Sequence, residues 1–279
     1  MKIYNLDIDI NQLSKSEKKI ANFITKNMSK VPYLNLQELS KAIGVSIATI
    51  SRFCVSIGFS GFKDFKNHIK NNYEISPANK MKSILNEIRD EDIGAQIINK
   101  TINYLKKTIE YLSNDNFNRA IKSINTAEDI YIFSPGPSES VANLLFFRLN
   151  RFGLNVNKMA KSGKELFENL INLSKDDLII IFGFFNVSPE IKIILDYKKK
   201  IGFKTILITD LIVSEMNKTS DIILYVERGE IWEFHTMVTP MALIEALIVG
   251  ITINNEEKYL KKLNNLHELR KHYANYLTK

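Results

Sequence analysis

Cysteine is nearly absent from this sequence, and that scarcity excludes several kinds of site. Cys54 is the one cysteine, so the chain has neither an internal disulfide nor a metal site built from several cysteines. A lone cysteine also fits a reducing compartment. The sequence shows no serine–histidine–aspartate set, no metal-ligand spacing and no Walker-type loop, and we predict no catalytic residue, metal or cofactor.

Segments apolar enough to enter a membrane are missing as well. The N-terminus carries acidic residues and has no apolar core, so we expect no signal peptide. The most apolar run, 237–253, contains Pro240 and Glu245 and is too short to span a bilayer comfortably. We interpret it as a buried helix, and we expect a cytoplasmic protein with no membrane partner.

Positive charge is concentrated in the first quarter of the chain. The net charge is +7, and residues 1–75 hold 11 Lys and Arg against 6 Asp and Glu, a net of +5. Residues 76–279 hold 27 against 25, a net of +2. This excess favours a polyanionic partner for the N-terminal region. Scattered, solvated lysines are the alternative explanation.

The N-terminal region shows helical periodicity and no two-residue alternation. Ser14 and Glu17 form a capping-box pattern at the first helix, and Gly44 ends the second. Residues 74–80 are predicted to be a linker, and residues 81–126 to be helical. The helices predicted before the linker cover residues 14–28, 36–43, 46–57 and 62–72.

From residue 129 onward, short apolar strands alternate with amphipathic helices. Continuous apolar strands separated by helices are typical of a parallel sheet covered on both faces. We therefore predict an N-terminal all-α domain at 1–75, a linker with helices at 76–128, and a doubly wound, five-stranded parallel α/β domain at 129–279. The predicted strands are 129–133, 155–160, 177–182, 204–210 and 221–227.

The segment 44–62 has the features of a helix-turn-helix. Gly44 suits the tight turn, Ser40 is small enough for the helices to cross closely, and Ile50 is buried. Burying Ile50 turns the opposite face outward, where short side chains would let the helix approach the bases of DNA. A generic helical hairpin with a solvated Arg52 is the alternative. The predicted DNA contacts are Ser46, Ile47, Ala48, Thr49, Ser51 and Arg52.

This segment resembles the N-terminal domain of RpiR-family bacterial transcription regulators. The matching pattern is S-x-A-T-I-x-R-F-C-x-x-x-G-F-x-G-F, which runs from Ser46 to Phe62. The resemblance implies that Cys54 is a core residue and that the chain binds double-stranded DNA. It also implies a C-terminal SIS (sugar isomerase) domain, which binds phosphosugars, and residues 129–250 look like one.

Two loops carry the expected effector site. The first, FSPGPSES, is similar to the family's G-x-G-x-S turn, and we expect its serines to cap the next helix and bind an anion. The second, GFFNVSPE, departs from the family's S-x-S-G-x-T, because Gly183 and Phe185 replace the serines. Ser188 and Pro189 still predict a helix start. The candidate ligand-binding residues are Ser134, Gly136, Ser138, Ser140, Asn186 and Ser188.

Three functions stay open at this stage. The first is a DNA-binding regulator, a homodimer or tetramer on a pseudo-palindromic operator, modulated by a sugar phosphate or a more apolar metabolite. The second is a DNA-binding protein that has no effector and uses its SIS-like domain for oligomerisation only. The third is a sugar-phosphate isomerase, which needs a general base. The candidate bases are Glu139, Glu190, His235 and Glu245.

Overall fold

The computed structural model describes most of the chain as two compact units. The first unit comprises residues 1–96 and 229–235, and the second comprises 97–228 and 236–279. The residues described are 2–3, 6–7, 13–27, 30–72, 76–88, 92–184, 187–211, 214–230 and 232–276.

The first unit is a bundle of helices preceded by a small hairpin. Strands β1 and β2 pair antiparallel, which corrects the prediction of helices only. Two residues per strand are too few to leave an alternating pattern in the sequence. The elements are β1 Lys2–Ile3, β2 Leu6–Asp7, α1 Lys15–Lys26, α2 Leu36–Ile43, α3 Ile47–Ser56, α4 Phe62–Asn72 and α5 Pro77–Glu87.

The segment predicted as a linker contains the start of helix α5. Ser76 accepts a hydrogen bond from the backbone N–H of Asn79, and Pro77 occupies the first helical position. Proline is favoured there because its missing N–H would have no partner in the helix anyway. The Ser-Pro pair that indicated a loop is therefore a helix start.

The core of the first unit is built from the helical stripes that the sequence predicts. Ile24, Leu39, Ile50 and Phe53 are fully buried, and they bring α1, α2 and α3 together. Phe65 and Ile69 of α4 join the same core. The predicted capping box is confirmed, because the Ser14 hydroxyl accepts from Glu17 N–H and the Glu17 carboxylate accepts from Ser14 N–H.

The second unit contains a five-stranded parallel sheet with the strand order β4-β3-β5-β6-β7. This confirms the predicted α/β fold. The elements are α6 Ile93–Tyr111 (whose first turn lies in the first unit), α7 Asn114–Thr126, β3 Ile130–Phe133, α8 Glu139–Arg151, β4 Val156–Lys158, α9 Glu165–Ile171, β5 Leu178–Phe182, α10 Pro189–Ile201, β6 Lys204–Thr209, α11 Glu215–Thr219, β7 Ile222–Tyr225, α12 Val238–Asn254 and α13 Glu256–His272.

Helices cover both faces of this sheet. One apolar cluster joins the even-numbered strand residues, such as Ile180 and Ile206, to α7, α8 and α12. The other joins the odd-numbered residues, such as Ile181 and Leu207, to α9 and α10. Because neighbouring strand residues point to opposite faces, an all-apolar strand such as β5 serves both clusters at once.

Helix α12 is mostly apolar, but only its inner face is buried. Gly250 lies where a Cβ atom would come within 2.5 Å of Ile121 Cδ1, so glycine lets α12 approach α7 closely. On the outer face, Val249 is 60% exposed and Ile253 is 71% exposed. The prediction of a buried helix therefore holds for one face only.

Within the described parts of the chain, no single helix is both long and apolar enough to cross a bilayer. Two bent pairs of consecutive helices, α2 with α3 and α12 with α13, pass a test of length and composition.

Candidate functional site

The turn before α3 has the conformation that the sequence predicts. Gly44 adopts φ 73° and ψ 40°, the left-handed region in which glycine is favoured. The Ser40 hydroxyl donates to the carbonyl of Val45 across the turn. This bond fixes the direction in which the chain enters α3, and so fixes which face of α3 is outward.

The amino end of α3 is capped by a pair of hydroxyls. Ser46 Oγ accepts from Thr49 N–H at 3.1 Å, and the two side-chain oxygens lie 2.7 Å apart. One hydroxyl hydrogen joins the pair, which leaves the other free to donate outward. The first N–H groups of the helix also have no acceptor within it. This helix start therefore presents donors to an anion such as a DNA phosphate.

The predicted contact residues share the exposed side of α3. Ser46, Ile47, Ala48 and Arg52 are exposed, and Ile47 is 42% exposed. Thr49 and Ser51 are half-buried at its edges. Ile50, Phe53 and Cys54 occupy the opposite, buried side.

Sequence reasoning missed Val55, which is 58% exposed on the same side of α3. An apolar residue in an apolar helix gives no local signal of exposure. Its position follows only once the buried stripe of Ile50, Phe53 and Cys54 is fixed. An apolar side chain there is suited to contact the methyl group of thymine.

Arg52 lies along the surface of its own helix. Its Nε donates to Ala48 O at 3.4 Å. Hydrogen bonds with Ser14 lower the pKa of the Glu17 carboxyl, and the nearby charge of Arg52 makes a smaller contribution in the same direction. The guanidinium is exposed, so it is available to a base edge or a phosphate.

Cys54 is a core residue rather than a reactive thiol. Its side chain is fully buried among the apolar residues of the first unit. Burial raises its pKa to about 12, which keeps the sulfur protonated at neutral pH.

In the second unit, the strand order reverses direction between β3 and β5. In a doubly wound sheet, ligands bind at the carboxyl ends of the strands at this switch point. The segment 134–140, which ends in the first turn of α8, leaves β3 there, and the described residues 183–184 and 187–188 follow β5. We call them the switch-point loops. Their position brings the two predicted ligand-binding segments to one edge of the sheet.

The first switch-point loop corrects the prediction that its serines cap α8. Ser138 donates its hydroxyl to Pro135 O at 2.8 Å, and Ser140 donates to Pro137 O at 2.9 Å. Ser138 already has helical backbone angles, which are not those of a capping residue. Ser138 is 1% exposed, Ser134 is 8% exposed, and Gly136 adopts φ 65°.

The second switch-point loop keeps its helix cap, as predicted, but offers little to an anion. Ser188 Oγ accepts from Ile191 N–H, and Pro189 has no N–H. Glu190 follows in this first turn, and its carboxylate opposes a second negative charge. Phe185 and Asn186 lie outside the described residues.

Gly183 cannot be exchanged for the family's serine without a shift in packing. A Cβ atom there would lie 2.9 Å from Leu207 Cδ1 and 3.0 Å from Met216 Sδ. Both neighbours are fully buried. Core side chains therefore occupy the space that a side chain at position 183 would need.

Replacing Gly183 with serine should lower the free energy of unfolding by about 1–3 kcal/mol, because two packed side chains must move. Urea unfolding of the full chain measures the change. Gly94→Ser is the matched control, because a Cβ atom at Gly94 meets nothing within 4 Å. Equal midpoints for Gly183→Ser and wild type would show that the loop has room for the hydroxyl.

A buried ion pair lies at the same edge of the sheet, just after strands β6 and β7. Arg228 Nη1 lies 3.0 Å from Asp210 Oδ2, and the two side chains are 6% and 10% exposed. Arg228 Nε donates to Thr236 O at 3.1 Å, and its guanidinium lies 4.0 Å from the centre of the Phe184 ring. Burial lowers the pKa of Arg228, and Asp210 opposes that shift. The charges of Arg228 and Asp210 thus offset each other, and the guanidinium packs against the Phe184 ring.

The four candidate general bases lie in different surroundings. Glu139 is paired with Lys161 Nζ at 2.5 Å, and this lowers its carboxyl pKa, whereas a general base needs a pKa near neutrality. Glu245 is exposed, and Glu190 is half-buried. His235 Nε2 lies 3.0 Å from Glu230 O. Among the described residues, no cluster of three His, Cys, Asp or Glu side chains is arranged to hold a metal.

The folds define the class: a helix-turn-helix protein with a doubly wound α/β domain. Residues 4–76 match the helix-turn-helix domain model of the rpiR family, and residues 123–250 match the SIS domain model. The chain is thus a DNA-binding transcription regulator of the RpiR type.

Two relatives named as helix-turn-helix-type transcriptional regulators support this class. A helix-turn-helix-type transcriptional regulator of Providencia stuartii is 28% identical over 260 residues, which cover 90% of this chain and 91% of that protein. One from Caldanaerobacter subterraneus subsp. tengcongensis is 26% identical over 267 residues, covering 92% and 93%.

Two solved structures share the fold. The sugar isomerase domain of an RpiR transcription factor from Sphaerobacter thermophilus has a TM-score of 0.60 at 22% identity, covering 64% of this chain and 99% of that one. The Vibrio vulnificus NanR protein complexed with ManNAc-6P has a TM-score of 0.59 at 18% identity, covering 97% of each chain.

Proposed function

We propose that α3 is the recognition helix of this regulator and that it reads an operator as one half of a homodimer. The observation that carries the proposal is the exposed side of α3. It presents short side chains and a capped, donor-rich amino end, while the opposite side is locked into the core. Short side chains let the helix backbone enter the major groove, and the helix start then meets a phosphate.

Two-fold symmetry of the protein sets the form of the operator. A dimer presents two recognition helices, so the half-sites would be related by a dyad and spaced by about one helical turn of DNA or a multiple of it. The positive charge of residues 1–75 supports contacts to the phosphate backbone. Such contacts make binding steeply dependent on salt.

We further propose that the switch-point loops bind a sugar derivative that modulates DNA affinity. The SIS match and the NanR structure complexed with ManNAc-6P support a phosphosugar. Ser140 is exposed and Ser188 is half-buried, so these two hydroxyls lie within reach of such a ligand, whereas Ser134 and Ser138 are buried and the Ser138 hydroxyl already donates to Pro135 O. Gly183 has no hydroxyl, and the Arg228 guanidinium is already paired with Asp210. This edge therefore offers fewer phosphate donors than the family's S-x-S-G-x-T loop would. A more apolar metabolite therefore stays the second candidate.

We propose that the protein acts in the cytoplasm and does not catalyse a reaction on this ligand. The support for the absence of catalysis is chemical, because the carboxyl pKa of Glu139 is lowered beside Lys161 and Glu245 is exposed. Binding would instead couple to DNA affinity, and couplings between two sites are typically about 1–3 kcal/mol.

Replacing Arg52 with alanine tests the reading role of α3. We expect operator affinity to fall by about 1–3 kcal/mol and the preference at one base pair of each half-site to relax. Fluorescence anisotropy with a duplex selected by the wild-type chain, and with single-base variants of it, measures both effects. Equal affinity and equal selectivity in Arg52→Ala would remove the role assigned to this side chain.

A further inference from the structure

One short segment of the chain folds with the first unit, although the second unit continues on both sides of it in the sequence. Residues 229–235 follow β7 and precede α12, and yet they pack as part of the first unit. We call the described residues of this segment, 229–230 and 232–235, the linking loop. Because both of its ends are joined to the second unit, a change in the backbone at either end passes directly into the loop.

The linking loop is anchored in the first unit by Trp232, the one tryptophan of the chain. This residue is 6% exposed, and its ring stacks on Tyr33 with the ring centres 5.3 Å apart and an angle of 29° between the planes. Aromatic pairs at such distances contribute more than the area that they bury. The stacked pair is therefore the contact that holds the loop in place.

Tyr33 belongs to the part of the first unit that lies behind α3. It ends a short 3-10 turn, Val31–Tyr33, and Val31 is fully buried in one core with Ile50 and Phe53 of α3. Close-packed interiors transmit strain from one side chain to the next. A shift of Tyr33 is therefore felt by the residues on which the buried side of α3 packs.

Hydrogen bonds within the linking loop make it compact. Glu230 N–H donates to the Glu233 carboxylate at 2.9 Å, and Glu233 N–H donates back to Glu230 O at 2.8 Å. His235 Nε2 lies 3.0 Å from the same carbonyl oxygen. These contacts tie the two ends of the loop to each other, so we expect the loop to move as one piece.

The base of the linking loop is closed by Arg228, at the sheet edge that carries the switch-point loops. Thr236 N–H donates to Arg228 O at 3.1 Å, and Arg228 Nε donates to Thr236 O at 3.1 Å. The same guanidinium lies 4.0 Å from the centre of the Phe184 ring. Phe184 is half-buried and belongs to the second switch-point loop. A side chain of that loop thus packs on the residue that holds the two ends of the linking loop together.

We propose that the linking loop couples the second switch-point loop to α3 through three contacts: Phe184 with Arg228, Arg228 with Thr236, and Trp232 with Tyr33. A polar or anionic ligand at the switch-point loops competes with the Phe184 ring for its place against the guanidinium. Once the ring leaves, Arg228 turns toward the ligand, its bond to Thr236 O is lost, and Trp232 loosens from Tyr33.

This coupling rests on the ligand site of the proposed function and adds the path by which that site acts on DNA binding. A ligand shifts an equilibrium only if it prefers one of the two states. Here it prefers the state in which Phe184 is displaced, and in that state the core behind α3 is looser. Ligand binding therefore weakens operator binding.

The single tryptophan reports on this path without any ligand or DNA. Phe184→Ala imitates displacement of the ring, so it should shift the fluorescence emission of Trp232 to longer wavelength and increase its quenching by acrylamide. Phe184→Leu keeps an apolar side chain but removes the ring, and it should act in the same direction. Tyr33→Ala removes the stacking partner and should show the full effect.

Phe167→Ala is the matched control for these measurements. It makes the same substitution at a 54% exposed phenylalanine on α9, in the same unit as Phe184. Its emission and quenching should equal those of the wild type. Circular dichroism spectra that superpose show that each variant is folded.

A double-mutant cycle with DNA tests whether the path reaches α3. Phe184→Ala should weaken binding to a duplex selected by the wild-type chain by about fivefold or more, as for measured couplings between two sites. In the Tyr33→Ala background, the same substitution should change the affinity by less than about twofold, because the path is already broken there. Independent, additive losses would contradict the coupling.

Three fluorescence results would also overturn the proposal. Wild-type emission typical of an exposed indole would show that Trp232 does not stack on Tyr33. Unchanged emission and quenching in both Phe184 variants would break the path at Arg228. An equal shift in Phe167→Ala would reduce the effect to a general loosening of the second unit. A chain that selects no duplex would instead remove the proposed DNA reading, and the fluorescence of the Phe184 variants would still decide whether the linking loop responds.

Discussion

Replacing Arg228 with methionine should destabilise the second unit by about 3–5 kcal/mol. The side chain is buried, paired with Asp210 at 3.0 Å, bonded to Thr236 O and stacked on Phe184. Methionine fills similar space but leaves the Asp210 carboxylate without its guanidinium in a nearly dry site. Removing one member of a buried pair costs far more than the pair as a whole contributes, because the remaining charge stays buried.

Urea unfolding of the full chain, followed by circular dichroism, measures this loss. Adding Asp210→Asn should recover part of it, because the orphaned charge is then removed. Arg148→Met is the matched control on α8, where the arginine is exposed, and it should change stability by less than about 0.5 kcal/mol. A loss below about 1 kcal/mol for Arg228→Met would show that the pair is not shielded from solvent.

Replacing Ala48 with glutamate should reduce operator affinity by about 100-fold or more. Ala48 lies on the exposed side of α3, one residue from Thr49 and its bond to Ser46. A carboxylate there meets the phosphates and base edges that the helix approaches, and a like charge placed in an interface costs several kcal/mol. Anisotropy titration with the selected duplex gives the ratio.

Ala78→Glu is the control for this change. It makes the same substitution at an exposed helical position of the same unit, on α5, and alters the net charge equally. Its affinity should stay within a few-fold of the wild type. Similar losses in both variants would mean that overall charge, and not the position of α3, governs DNA binding.

Local signals were sufficient to predict much of the fold. The caps at Ser14 and Ser188 are confirmed, because each depends on a side chain and a backbone group three residues apart. The parallel sheet is confirmed too, and its clearest local signal is the central strand β5, which is apolar and buried throughout. Structural features that depend on residues only a few positions apart can therefore be predicted directly from the sequence.

Features that depend on distant contacts could not be predicted in this way. Asp210 and Arg228 follow different strands, and nothing local shows that their side chains meet. The role of Ser138 was wrong because a short 3-10 turn places it inside the helical path. The exposure of Val249 and Ile253 was missed because α12 is mostly apolar, and the one marker of its outer face is Glu245, four residues before Val249.

The central claim is that this chain reads DNA sequence through α3, and a selection experiment tests it most directly. The purified wild-type chain is incubated with a pool of random duplexes at about 0.15 M salt, and bound molecules are amplified and sequenced over several rounds. The account predicts enrichment of one sequence with dyad symmetry and half-sites about one helical turn apart or a multiple of it. Retention of duplexes without any enriched sequence would reduce the interaction to phosphate contacts and contradict the reading role of α3.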